Sequence, residues 1–182
     1  MIRQPKGKST CHPKMEVVYV EKKSKRSKDV ALVALWAALY AVLVLIFAPI
    51  SFQALQFRVA GILRPAIAKK WILVFGYVIG VVVGNVFSPF VGFWELVFMP
   101  IMSLVAGTLG YLAAKLASEY DYYVCGAVIA VIIPLAVSYM LNQLFGLPML
   151  ATFPMLLLSE QIVNFIGATL FKAIEKRWVW WK

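Results

Sequence analysis

Charge is scarce in this chain. Of 182 residues, 14% are Asp, Glu, Lys or Arg, and only eight are acidic. A soluble domain of this length needs a far more polar surface, so the deficit excludes one. Histidine is almost missing, with His12 standing alone. There is no H-E-x-x-H, no G-x-S-x-G and no G-x-x-x-x-G-K-[ST]. That removes the zinc-protease helix, the hydrolase elbow and an ATP-binding phosphate loop within this chain. The two cysteines, Cys11 and Cys125, cannot build a disulfide framework, and Cys11-His12 lacks a second pair with which to hold a metal. No cofactor, metal site or catalytic residue is therefore expected. A membrane enzyme would have to work with two intramembrane glutamates, Glu95 and Glu160. No inverted repeat of three plus three helices is visible, which speaks against a self-sufficient secondary transporter.

Apolar length is what the chain has. It is 63% hydrophobic, with a mean hydropathy of +0.85. Five runs, at residues 30–49, 71–87, 94–116, 125–144 and 148–174, approach or exceed the roughly 20 residues of a membrane-crossing helix. The stretch at residues 52–68 is more polar and carries Arg58.

The basic residues settle its status. Net charge is +10, and nine of the 18 Lys and Arg lie in residues 1–28, opposed by Glu16 and Glu21. Lys172, Lys176, Arg177 and Lys182 make the other end basic as well. Cytoplasmic ends are rich in such residues, so both termini belong inside and the number of crossings is even. Residues 52–68 then form a short sixth helix. The expected fold is an all-α integral membrane protein of the cell (cytoplasmic) membrane, a compact bundle of six transmembrane helices with N and C termini cytoplasmic. Residues 1–28 form a basic, flexible arm unable to bury enough apolar surface to fold alone, residues 29–177 the membrane domain, and residues 178–182 a short tail. The first run is too long for a cleaved signal peptide and lacks its cleavage site. No aromatic interleaving or basic module points to nucleic acid, so none is expected as a partner.

Small residues mark helix contacts. Gly76, Gly80 and Gly84 recur every four residues, as do Ala106, Gly110 and Ala114, and such faces let backbones approach closely in lipid. For the glycines internal packing is expected. The interleaved pairs Ala34/Ala38 and Ala37/Ala41 on the first helix also suit a docking surface for another membrane subunit.

A charge near the middle of a membrane helix costs about 2.5–3.5 kcal/mol on insertion scales, so such residues face the interior or a partner. With both ends inside, Arg58, Asn85, Glu95, Asn142 and Gln143 fall in the outer half, with Glu160 near mid-depth and Asn164 one turn beyond it. Phe52, Phe57, Phe93, Trp94 and Tyr139 surround them. An apolar pocket with a few placed polar groups is the usual form of a small-molecule site, and this mixture suits a planar heterocycle. The competing reading pairs Arg58 with Glu95 or Glu160 and leaves the aromatics as interfacial anchors. Arg64, beside Pro65 and near Lys69 and Lys70, is expected to snorkel inward or meet a partner.

Ala38-Leu39-Tyr40, Ala48-Pro49-Ile50-Ser51-Phe52 and Gln56-Phe57-Arg58-Val59 resemble the queuosine-precursor transporter (QueT) family. Gly84-Asn85, Ser88-Pro89 and the run Ser159-Glu160-Gln161-Ile162-Val163 extend the likeness over roughly residues 30–176. The resemblance implies a six-helix substrate-binding S component of an energy-coupling factor (ECF) transporter, working with a coupling transmembrane subunit and two cytoplasmic ATPases. It implies 7-deazaguanine-type bases or nucleosides as small-molecule substrates. Gln56, Arg58, Asn85, Trp94, Glu95, Asn142, Glu160 and Asn164 are the expected substrate-binding set, with the loop between the first and second helices as a lid. Ala34, Ala38 and Ala41 are the expected contacts for the coupling subunit. One departure stands out: where the family pattern carries an acid, this chain has Gly61. An S component for another vitamin-like compound, and a membrane assembly or anchoring subunit without a ligand, are the rival readings.

Overall fold

The computed structural model describes the backbone of residues 13–48 and 58–181, with side chains from residue 26 onward. The chain divides into two compact units, Met1–Ala31 and Leu32–Lys182. Helix α1 runs Pro13–Ile46, so regular helix begins within the segment expected to be a flexible arm. Residues 1–12 lie outside the described ones.

Five further helical elements follow. They are a 3₁₀ helix Val59–Ala68; α2, Leu73–Asn85; a π-helical turn Trp94–Phe98 running into α3, Met99–Leu116; α4, Asp121–Phe145; and α5, Met149–Glu175. The expected all-α architecture and its six helices are therefore present. They are not six equal spans. Among the described residues, four helices, Arg26–Ile46, Trp94–Leu116, Asp121–Phe145 and Met149–Glu175, are long and apolar enough to cross a membrane. α2 rises only about 20 Å, short of a hydrocarbon core of about 30 Å.

Local chemistry explains the breaks. Gly146 ends α4 in the left-handed conformation (φ 67°), which costs glycine little. Pro148 then stands just before α5. Within the 3₁₀ helix, Pro65 has no N–H with which to continue an α-type ladder, and the observed bonds skip three residues, as from Gly61 to Arg58 (2.8 Å). A threefold pitch puts Gly61, Arg64 and Ile67 on one edge. All three are buried, and the helix packs against α2, α3, α4 and α5.

The glycine stripe of α2 seats α1. A Cβ at Gly80 would lie 2.7 Å from Tyr40 Cβ, and one at Gly84 2.9 Å from Val44 Cγ1. Internal packing is thus what these glycines serve. The alanines of α1 divide: Ala34 and Ala38 are exposed, whereas Ala37 and Ala41 are buried. Ala41 therefore leaves the expected docking set, since it occupies the packed side of α1 with Ala37.

At the end where α5 stops, Lys69 ties two helices together. Its ammonium bridges Asp121 (2.7 Å) and Glu175 (2.9 Å). Burial works against that charge, but the hydrogen bonds to both carboxylates prevail and raise the Lys69 pKa above the usual lysine value. The last residues fold back over this end: Trp180 stacks on Trp36 at 5.6 Å with 8° between planes and lies 5.7 Å from Phe171. Trp180 is half-buried. Trp180→Ala is expected to lower stability by about 2 kcal/mol, less than the cost for a fully buried tryptophan. Thermal unfolding in detergent checks this, and an unchanged midpoint would make the stack ornamental.

Candidate functional site

Among the described residues, two clusters of polar side chains stand out, one built on Arg58 just before the 3₁₀ helix and one on Arg64 within it. The first lies where α2 ends and the π turn begins. Arg58, just before the 3₁₀ helix, donates from Nη2 to Asn85 Oδ1 at 2.6 Å. Asn85 Nδ2 in turn donates to the Glu95 backbone carbonyl at 2.9 Å. Asn85 is the last residue of α2, so helix termination itself places its amide at this junction. A tight turn connects it to the next element, with Phe90 N donating to Ser88 Oγ at 3.1 Å.

Glu95 sits in the wide π turn, a local insertion often found at functional sites. Its side chain is buried, and Oε2 has no hydrogen-bond partner among the described residues. An aromatic wall adjoins it: the Trp94 ring lies 5.2 Å from Phe98, 5.8 Å from Phe93 and 5.9 Å from Tyr139. Glu95 is thus a buried carboxylate with spare acceptor capacity, next in the chain to the Trp94 of this aromatic group. Buried polar groups are nearly always paired, so one left open calls for a partner.

The second cluster is centred on Arg64, whose Nε, like Asn164 Oδ1, has no hydrogen-bond partner among the described residues. Arg64, fully buried, forms an ion pair with Glu160 of α5 and donates to the Tyr40 hydroxyl of α1 at 3.0 Å. Its guanidinium lies 5.3 Å from the Tyr77 ring centre. Asn164 Nδ2 donates to both the Glu160 carbonyl (2.8 Å) and Glu160 Oε2 (3.1 Å). Expected to snorkel inward or meet a partner, Arg64 does not snorkel but is sealed inside against Glu160, because the threefold pitch directs it at α5 rather than at either surface. The partner of Glu160 is thus Arg64 and not Arg58.

Of the residues expected to bind substrate, Arg58, Asn85, Trp94 and Glu95 lie together. Glu160 and Asn164 belong to the Arg64 cluster. Asn142 donates to the Leu147 carbonyl at 2.9 Å, closing the turn between α4 and α5. Gln56, like Phe52, Phe57 and the expected lid, lies outside the described residues. Sequence reading missed the roles of Arg64, Tyr40 and Tyr77. The cost of an arginine in an apolar run was the available signal, but its partner lies 96 positions away. Gly61 acquires a meaning here: a Cβ at that position would stand 3.3 Å from Arg64 Nη1. The place where the resembled pattern has an acid is therefore beside this guanidinium, which Glu160 engages here.

Among known protein families, the QueT transporter family matches residues 30–176 of the chain. No curated protein matches it, and no solved structure does.

Proposed function

The chain belongs to the QueT transporter family, and from that premise we propose that it is the S component of an ECF-type importer for a queuosine precursor of the deazapurine class. Membership makes it a multi-pass membrane transport subunit that binds a substrate. The finer reading is carried by one observation, the buried Glu95 carboxylate with an unpartnered Oε2 beside an aromatic wall. A guanine-like edge presents two adjacent N–H donors, which a carboxylate can accept together. Arg58 and Asn85 fix the backbone at Glu95 and line the approach, and Trp94 offers a stacking face. Gln56 completes the proposed binding set; Glu160 and Asn164 are held in the Arg64 cluster, and Asn142 at the turn before α5.

The basic residues of the two ends support cytoplasmic termini; with that orientation the Glu95 cluster lies toward the outer face, from which substrate is captured. ATP hydrolysis falls to two partner ATPases through a coupling membrane subunit, for which Ala34 and Ala38 offer an exposed small-residue face.

Calorimetric titration of the purified full-length protein with 7-deazaguanine bases tests the substrate. Binding tighter than millimolar is expected, and Glu95→Gln should weaken it by about 10–100-fold, the loss of a charge-assisted hydrogen bond worth about 1.5–3 kcal/mol. Its melting temperature should stay that of the wild type. No binding of any deazapurine would end the substrate assignment. Co-purification of a coupling subunit with two ATPases tests the assembly separately.

A further inference from the structure

A recess stands apart from the Glu95 cluster, none of whose residues line it. It is a groove of about 650 Å³ between α4 and α5, reaching the end at which α5 finishes. Its apolar part is walled by Tyr123, Ala127 and Phe165, and its mouth carries Lys172 and Lys176. Among the described residues, these lysines are the only charged side chains that line it. Of the three carboxylates that share an adjoining cleft with these lysines, Asp121 and Glu175 are engaged by Lys69, and Glu119 is exposed and does not line the groove itself. Lys172 is held at the mouth by the Glu119 backbone carbonyl (2.9 Å), with its ammonium 5.0 Å from the Tyr120 ring centre.

Depth fixes what such a shape can hold. At its inner limit, Gln161 donates to the Ala127 carbonyl at 3.4 Å, and Gln161 lies at the middle of α5. From there to Lys176 the helix climbs about 22 Å at 1.5 Å per residue. That is one leaflet, half of a bilayer of about 40–45 Å with its headgroups. Cations and tyrosines therefore sit at headgroup level, with an apolar channel running from them to mid-membrane. Basic recesses of this kind between membrane helices suit anionic lipid heads.

We propose that this groove binds an anionic phospholipid, its phosphate between Lys172 and Lys176 and an acyl chain along Tyr123, Ala127 and Phe165. The site is separate from the substrate cluster and does not depend on the transport reading.

Native mass spectrometry of the full-length protein, released from mixed micelles with equal phosphatidylglycerol and phosphatidylcholine, tests it. Wild type should retain phosphatidylglycerol at least about fivefold more often, a difference of about 1 kcal/mol. Lys172→Ala/Lys176→Ala should erase that preference, whereas Lys115→Ala, which removes a cation outside the groove, should keep it. Ala127→Trp fills the channel and leaves both lysines in place, so it should reduce retention even if the double variant proves unstable. Millimolar inorganic phosphate should not displace the lipid. Equal retention of the two lipids overturns the proposal. So does preference unchanged in Ala127→Trp, loss in Lys115→Ala alone, displacement by phosphate, or a protein helix captured there in place of lipid.

Discussion

Glu160→Ala is expected to destabilise the protein by about 3–5 kcal/mol, enough to cut the yield of folded material sharply. The reason is the charge left behind. Arg64 is fully buried, with its ion pair to Glu160 and a hydrogen bond to Tyr40 as its described polar contacts. Removing one member of a buried pair strands the other in low dielectric, and that penalty exceeds the value of the pair itself. Asn164 would also lose one of its two acceptors. A control separates charge from volume: Arg64→Met with Glu160→Met removes both charges while keeping much of the bulk. This double variant should recover most of the lost melting temperature. A single variant that melts like the wild type would show that the pair does not hold α5 to the 3₁₀ helix.

Gly167→Ala should be nearly as damaging, although it adds only a methyl group. The 3₁₀ helix crosses α5 so closely that a Cβ at Gly167 would collide with the Ile62 carbonyl. Backbone cannot rotate away as a side chain can, so relief requires the two helices to separate. Overpacking typically costs about 1–3 kcal/mol, occasionally more, and the upper part of that range is expected. Gly107→Ala is the comparison: its Cβ meets only the side-chain methyls of Val74 and Ile67, at 3.1 Å and beyond. It should melt closer to wild type. Equal stability of Gly167→Ala and wild type would mean that the crossing is looser than described.

Much of this architecture was legible in residue order. The run at residues 94–116 coincides with Trp94–Leu116, and those at 125–144 and 148–174 fall within four residues of α4 and α5. Bilayer thickness is a strong external ruler, so apolar length alone locates such helices. The stripe Gly76, Gly80, Gly84 likewise announced a close helix contact. The grouping of Arg58, Asn85 and Glu95 followed from depth, because all three lie near ends of helices that reach the same side.

Other features were hidden because they depend on pitch and on distant partners. An α-helical reading of residues 59–68 gives Arg64 a different direction from the 3₁₀ pitch that Pro65 favours. Nothing local pairs Arg64 with Glu160. The same holds for Ala41, whose burial reflects which of two interleaved small-residue pairs met α2. Trp180 and Trp181 read as a tail because no periodicity extends to them, yet Trp180 stacks on a tryptophan from the other end of the chain.

The placement of the tryptophans has an optical consequence. Of six in the chain, Trp94 alone adjoins Glu95. Trp36, Trp71, Trp178, Trp180 and Trp181 gather towards the opposite end, around Lys69 and the close of α5. With Trp94 replaced by phenylalanine, the remaining emission would report only on that far end. The difference between the two spectra would then be a built-in, label-free signal from the Glu95 cluster alone.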